Sequence, residues 1–206
     1  DAHINYIDEA RRIVGSYGVP QERIFVTANS PDTDQLLNAY QAVLRSPAIL
    51  AANPHRLIHV GRLVKWKNVD LLLSAIHDLQ VEFPQIELLV IGYGPEEQAL
   101  RKLTESLGIE ARVRFLGGVY DSFTLGQYLH ASAVYVLGGM GGLSINDAMC
   151  FAKPVICSEA DGTERRLVKE GVNGMCFENG NLESLKNCLR SLLNEPDKLV
   201  AFGQNS

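Results

Sequence analysis

Two cations and a cluster of glycines carry the chemistry that this sequence offers. Arg62 follows the apolar run Leu57–Val60 and Gly61, and Lys67 lies five residues further on. Much later, Gly138, Gly139, Gly141 and Gly142, with only Met140 between them, separate the apolar run Ala133–Leu137 from a stretch of helical character, Leu143–Phe151. A glycine loop that leaves a strand and opens a helix presents several backbone N–H groups at the positive end of that helix, which suits an anion. Ser144, in the first turn, adds a hydroxyl donor. Arginine grips two phosphate oxygens and lysine supplies a point charge, so Arg62, Lys67 and the loop together predict a diphosphate site. Asp147, in the first turns of the same helix, is placed to accept hydrogen bonds from a ribose diol. Each feature has a plainer reading. The glycines would also suit a flexible turn, Arg62 and Lys67 (beside Lys65) ordinary surface charge, and Asp147 the helix dipole.

Other chemistries lack their residues. His3, His55, His59, His77 and His130 are dispersed, with no carboxylate or cysteine partner, so a catalytic histidine is not expected. There is no GxGxxG after the first strand of the regular region, which weakens a dinucleotide oxidoreductase, and no Walker A motif. Cys150, Cys157, Cys176 and Cys188 form no CxxC pair and no histidine-partnered metal spacing. They read as free buried thiols in a reducing compartment, and no metal is expected.

The elements that must position these residues form a regular series. Short apolar runs predict strands at Leu57–Val60, Glu87–Ile91, Val113–Leu116, Ala133–Leu137, Pro154–Cys157 and Met175–Phe177. Between them, helical periodicity predicts helices at Val69–Glu82, from Pro95 to near Gly108, Ser122–His130, Thr163–Lys169 and Leu182–Leu193. Glu164, after Asp161–Gly162–Thr163, reads as a cap or an anchor for a loop. Strands alternating with helices specify an α/β fold, a parallel sheet with helices on both faces. In such sheets ligands bind at the carboxyl ends of the strands, and Gly61, Gly92, Gly94, Gly117 and the four-glycine loop all sit there. Upstream, residues 3–17 carry Ile4, Ile7, Ala10, Ile13 and Val14 on one helical face. A strand is expected over Arg23–Val26, and a helix capped by Asp32 or Thr33 through Arg45. Residues 46–55 lack periodicity and read as a connector.

Length and composition allow one large domain or one domain with a fragment of another. The chain has 206 residues, 46% of them hydrophobic, with a net charge of −5 and a mean hydropathy near zero. No apolar run approaches the roughly 20 residues that span a bilayer, no signal peptide opens the chain, and the acidic balance argues against nucleic acid. The first residue is Asp1 rather than Met, and the last residues, LVAFGQNS, look helical, so a piece of a longer protein is expected.

Several stretches, in order, resemble the donor-binding domain of family-four (group 1) retaining glycosyltransferases with the two-domain GT-B fold. They are VGRLVKWKNVDLLLSAI (60–76), LLVIGYGPEEQALRKL (88–103), VRFLGGV (113–119), GGLSINDAM (141–149) and KPVICSEADGTERRLVKEGVNGMCF (153–177). The resemblance implies a Rossmann-like domain, one half of a GT-B fold, over residues 56–206. Residues 1–45 would then be the tail of the amino-terminal, acceptor-side domain, and 46–55 the interdomain connector. It implies that Arg62 and Lys67 bind the donor diphosphate and stabilise its departure, aided by the backbone of Gly141, Gly142, Leu143 and Ser144. Gly61 and the Gly117–Gly118–Val119 turn would contact the nucleotide, the turn meeting its base, and Asp147 the ribose. The family carries two glutamates separated by seven residues. The second falls on Asp147 and the first, which contacts the donor sugar, on Gly139, a departure that removes the usual sugar contact.

The implied activity is transfer of a sugar from a nucleotide diphosphate sugar to a glycan or lipid-linked acceptor, with retention. The nucleotide sugar is a substrate and no cofactor is implied. The acceptor would be held by a domain nearly absent here, so this stretch alone is expected to bind donor without transferring it. A cytoplasmic location is implied, with peripheral membrane association of the whole protein. The alternatives are a GT-B-fold enzyme of another reaction, a sugar-nucleotide epimerase or phosphorylase, and a non-catalytic nucleotide-sugar-binding protein.

Overall fold

The computed structural model describes residues 2–27, 29–159 and 163–206, the side chain of Thr163 excepted. The expectation for Asp161 and Gly162 falls outside the described residues. By its internal contacts the chain divides into two units, Asp1–Pro31 and Asp32–Ser206.

The first unit holds β1 (His3–Asn5), α1 (Glu9–Ser16) and β2 (Ile24–Val26). The expected helix over residues 3–17 is therefore shorter and is preceded by a strand. The backbone of His3–Asn5 pairs in parallel with Ile24–Val26, and the Thr27 amide continues that ladder to the Asn5 carbonyl at 2.8 Å. A hydrogen-bonded ladder between distant segments outweighs the local spacing of Ile4 and Ile7.

The second unit is the α/β sandwich that the alternation predicts. Its elements are α2 (Thr33–Leu44), β3 (Arg56–Val60), α3 (Val69–Leu79), β4 (Glu87–Ile91), α4 (Glu97–Ser106), β5 (Val113–Gly117) and α5 (Ser122–His130). They continue with β6 (Val134–Leu137), α6 (Ser144–Cys150), β7 (Val155–Ser158), α7 (Thr163–Leu167), β8 (Gly174–Phe177), α8 (Leu182–Leu193) and α9 (Pro196–Asn205). Six strands pair in the order β5-β4-β3-β6-β7-β8, all parallel.

Alternate residues of each strand enter opposite cores. Leu57, Leu88, Val90, Val134, Val136 and Ile156 pack with α3 and α8. Ile58, Leu89, Ile91, Tyr135, Leu137, Val155 and Cys157 pack with α5 and α6. Burial on both faces explains why these strands read as continuous apolar runs rather than as alternating ones. On α3, Val69, Leu72, Leu73, Ala75, Ile76 and Leu79 are all buried, each of the larger ones stabilising the fold by roughly 1.5–3 kcal/mol.

The boundary of this unit differs from the expected one at residue 45. Helix α2 starts at an Asp32 cap, whose carboxylate accepts from the Gln35 amide at 3.0 Å. Leu36 and Val43, on one face of α2, are buried in the core shared with α5 and α6. The connector is tied down as well, since Gln127 Nε2 donates to the Pro47 carbonyl at 3.0 Å. Apolar burial thus places 32–45 with the six-stranded sheet.

The chain reverses its direction of progress across the sheet at the β3–β6 pair: β4 and β5 lie to one side, β7 and β8 to the other. Such a switch point leaves a crevice at the carboxyl ends of the two central strands. The segments after β3 and β6 are 61–68 and 138–143, the two stretches that carry Arg62, Lys67 and the glycines.

Candidate functional site

A cleft of about 360 Å³ opens at the carboxyl ends of β3, β4 and β5. It is lined by Val60, Gly61 and Arg62 after β3, by Ile91, Gly92 and Tyr93 after β4, and by Gly118, Val119 and Tyr120 after β5. Backbone hydrogen bonds lock these turns together. The Gly61 amide donates to Ile91 O at 2.9 Å, the Leu63 amide to Tyr93 O at 3.0 Å and the Gly92 amide to Gly117 O at 2.7 Å. Gly92 is required in two ways: its φ is +137°, and a Cβ there would lie 1.8 Å from the Gly61 carbonyl oxygen. The result is an apolar floor of Val60, Ile91 and Val119 with one cation, Arg62, at the mouth. Arg62 is exposed and takes part in none of the ion pairs found among the described residues.

Two tyrosines that sequence reasoning missed frame this cleft. Tyr93 and Tyr120 are both exposed, and the Tyr120 phenol is raised above its ordinary pKa because it hydrogen-bonds Tyr93. A Cβ on Gly118 would stand 3.0 Å from the Tyr120 hydroxyl and 3.1 Å from a Tyr93 ring carbon. The available signal was positional: Tyr93 and Tyr120 lie two and three residues past the ends of β4 and β5, in the glycine-bearing turns there.

The glycine loop is packed, not slack. A Cβ on Gly138 would fall 2.4 Å from the Asn68 carbonyl oxygen, one on Gly139 2.0 Å from that of Trp66, and one on Gly141 2.7 Å from Glu164 Oε1. Loop 138–142 therefore lies backbone to backbone on the 65–68 turn, and the glycines are there for close approach. The reading as a flexible turn is thereby set aside.

Lys67 holds the two segments together. Its ammonium donates to Met140 O at 2.6 Å and Gly141 O at 2.7 Å, while the Met140 amide donates to Trp66 O at 3.0 Å. Asn68 adds a third tie, its Nδ2 donating to Gly138 O at 3.2 Å. Asn68 has φ +48°, and asparagine tolerates that conformation better than most residues. Of the residues singled out from sequence, Gly61, Arg62, Gly118 and Val119 thus line the cleft. Lys67 lies outside the cleft lining and donates to the carbonyls of the loop, and Gly117, with φ +70°, makes the turn that leads into the cleft.

Helix α6 begins at Ser144, one residue later than expected, and Leu143 precedes it, partly exposed. The Ser144 hydroxyl, expected to face an anion, pairs at 2.7 Å with the hydroxyl of Tyr135, which also reaches Val60 O at 3.4 Å. This chain of contacts links the first turn of α6 to the cleft wall. Tyr135 is fully buried, and burial raises its phenol, keeping it a neutral donor. Asp147 is half-buried, and burial pushes its carboxyl up to about 6. Beneath Gly61, His59 is fully buried, with Nδ1 3.1 Å from Val136 O. Burial above all, and then the charge of Lys67, lower it to about 4.

His59 is therefore neutral when folded but protonates near its ordinary pKa when unfolded. Below about 6.5 the unfolded state binds the extra proton, so the folded state loses stability as pH falls from about 6.5 towards 4, by about 3 kcal/mol across that window. Asp147, whose folded pKa is raised, works in the opposite sense below about 6. Urea midpoints of the wild type and His59→Phe at pH 7 and pH 4.5 isolate the histidine. The expected outcome is a smaller acid-side loss in the variant, and an equal loss in both would remove His59 from the account.

Among the described residues no group of three or more His, Cys, Asp and Glu side chains is arranged to hold a metal ion, and no helix is long and apolar enough to cross a membrane.

Comparison with known proteins bears on this geometry. The family model described as glycosyl transferases group 1 matches residues 41–206. An uncharacterized glycosyltransferase of Haemophilus influenzae is 28% identical over 153 residues, covering 73% of this chain and 42% of the relative. A D-inositol 3-phosphate glycosyltransferase of Rhodococcus jostii is 30% identical over 208 residues, covering 96% of this chain and 46% of the relative. The chain spans less than half the length of these curated relatives. Among solved structures, Anabaena HepE in complex with UDP and glucose matches with a TM-score of 0.81 at 23% identity, over 99% of this chain and 56% of that one. A mutant of S. aureus TarM in complex with Fondaparinux, alpha-GlcNAc-glycerol and UDP matches with a TM-score of 0.81 at 20% identity, over 98% of this chain and 39% of that one. At such identities the likeness is one of fold, and the fold is that of GT-B glycosyltransferases.

Proposed function

The chain belongs to the glycosyl transferases group 1 family, and from that premise we propose that it is the carboxyl-terminal, donor-binding half of an enzyme that transfers a sugar from a nucleotide diphosphate sugar with retention. One observation carries the reading: an apolar cleft with Arg62 at its mouth opens over the ends of β3, β4 and β5, and the same segment after β3 runs on to Lys67, which holds the glycine loop after β6 across the switch point.

The cleft, with its apolar floor and the Tyr93–Tyr120 rim, suits a flat nucleobase contacted by the Gly117–Val119 turn. Arg62 then meets the diphosphate, with the backbone of Gly141–Ser144 beyond it. During transfer, negative charge grows on the leaving diphosphate, and a pre-placed guanidinium stabilises that charge without reorganising. Arg62 supplies this directly, while Lys67 supplies positive potential and keeps the loop in shape. No metal is required in this scheme. The acceptor, a glycan or a lipid-linked sugar, would be held by parts of the enzyme outside this chain, and a cytoplasmic enzyme working at a membrane face fits the same scheme.

Asp147 is proposed to accept hydrogen bonds from the ribose diol. Asp147→Ala is then expected to weaken a ribonucleoside diphosphate by about 1.5–3 kcal/mol, the range for hydrogen bonds to a charged group, and its 2′,3′-dideoxy analogue far less. The wild type should also bind the ribonucleotide more weakly as pH falls through about 6, where the carboxylate takes up a proton. Titration calorimetry of wild type and Asp147→Asn on both ligands checks this. Equal losses on both ligands would return Asp147 to a purely helix-stabilising role.

One observation favours a second reading, a protein that binds nucleotide sugars without transferring them. At position 139, where the resembled family places a sugar-contacting glutamate, the Trp66 carbonyl leaves no room for a side chain. UDP and a UDP-sugar are then expected to bind within about tenfold of each other, or 1.4 kcal/mol. A sugar nucleotide binding much more tightly than its parent diphosphate would mean that another residue supplies the sugar contact.

A further inference from the structure

We propose that Cys157 and Cys176 form a dithiol site that a peroxide oxidises to a disulfide. The two residues stand directly opposite each other on β7 and β8, with their sulfurs 3.9 Å apart. Neighbouring strands lie about 4.7–4.9 Å apart, within the roughly 4.4–6.8 Å Cα separation that a disulfide spans. Sulfur–sulfur closure to bonding distance falls on β8, the edge strand of the sheet, whose Cys176 amide donates outward to the Glu170 carboxylate at 2.6 Å. Cys157 is buried while Cys176 is partly exposed, so a small oxidant reaches Cys176 first. The hydrogen bond that the two thiols share lowers the pKa of Cys176 and, together with burial, raises that of Cys157. Cys188 packs in the opposite core, its sulfur 3.8 Å from the Cys176 carbonyl, and is not a competing partner.

The chemistry closes with hydrogen peroxide as the oxidant. The Cys176 thiolate attacks one peroxide oxygen and the O–O bond breaks, giving a sulfenic acid and hydroxide, which is protonated to water. The Cys157 sulfur then attacks the sulfenic sulfur. The S–O bond breaks, the S–S bond forms, and the departing hydroxide leaves as a second water with the Cys157 proton. Two thiols lose two electrons and two protons, and one peroxide becomes two waters.

The test is peptide mapping of the reduced chain after treatment with hydrogen peroxide. A Cys157–Cys176 cross-linked peptide lighter by two hydrogens is expected, reversed by dithiothreitol, absent in Cys176→Ser and retained in Cys188→Ser. In Cys157→Ala, dimedone should trap a sulfenic acid on Cys176. Phenylarsine oxide, which needs no variant, should bridge both sulfurs of the unmutated protein with release of water and protect both from alkylation. Oxidation of Cys176 to sulfinic acid without a cross-link, or a cross-link to Cys188, would overturn the site.

Discussion

Arg62→Ala is expected to weaken binding of a nucleoside diphosphate by about 1.5–3 kcal/mol, roughly 10- to 150-fold, with the fold intact. The guanidinium stands exposed at the mouth of the cleft, so its removal leaves no buried partner stranded and unfolds nothing. Its contribution should therefore appear in affinity and not in melting temperature. Lys67→Met is the informative contrast. The ammonium is bonded to two loop carbonyls, and its loss removes two of the ties that hold the 138–142 loop on the 65–68 turn. That variant should lose stability and affinity together. Calorimetry with UDP, run beside thermal melts of both variants, separates the two roles. Unchanged affinity in Arg62→Ala would remove that residue from the site.

Gly139→Glu is the second substitution with a large expected effect, and here sequence resemblance and structure point in opposite directions. By resemblance alone the change restores a carboxylate that contacts the donor sugar. In the folded chain any Cβ at 139 meets the Trp66 carbonyl at 2.0 Å, and neither backbone can yield cheaply, because the Met140 amide bonds that same carbonyl. Crowding of this kind costs typically 1–3 kcal/mol. Gly139→Ala should carry most of that loss, since the first carbon makes the clash. Both variants should melt lower than wild type, and neither should gain affinity for a sugar nucleotide over its parent diphosphate. A Gly139→Glu protein that keeps its stability and binds UDP-sugar much more tightly than UDP would show that the loop has another arrangement open to it.

Both expectations depend on how much of the molecule its sequence determines by itself. The six strands of the sheet and the helices between them were legible because each is a short apolar run or a 3.6-residue pattern, and such patterns act locally. The helix Ser122–His130 and the strand Glu87–Ile91 lie where periodicity put them. The parallel arrangement followed too, since strands joined through helices can return only in the same direction. That Arg62, Gly118 and Val119 would line a cleft was legible because they follow strand ends, where the chain must pass the crevice.

What the sequence did not contain is decided by contacts between distant segments. Residues His3–Asn5 became a strand because a partner strand supplied a ladder. Helix α2 joined the second unit because Leu36 and Val43 found an apolar face there. Lys67 and Ser144 looked like anion donors on spacing alone, yet the fold brings carbonyls to one and the Tyr135 hydroxyl to the other. Tyr93 and Tyr120 became a rim only when two loops from neighbouring strands came side by side. The reason is the range of the forces involved. Backbone propensity and hydrophobic period act within a few residues, whereas a hydrogen-bond partner or a steric limit at 139 is set by atoms about seventy residues away, and the order of strands in the sheet brings those atoms together.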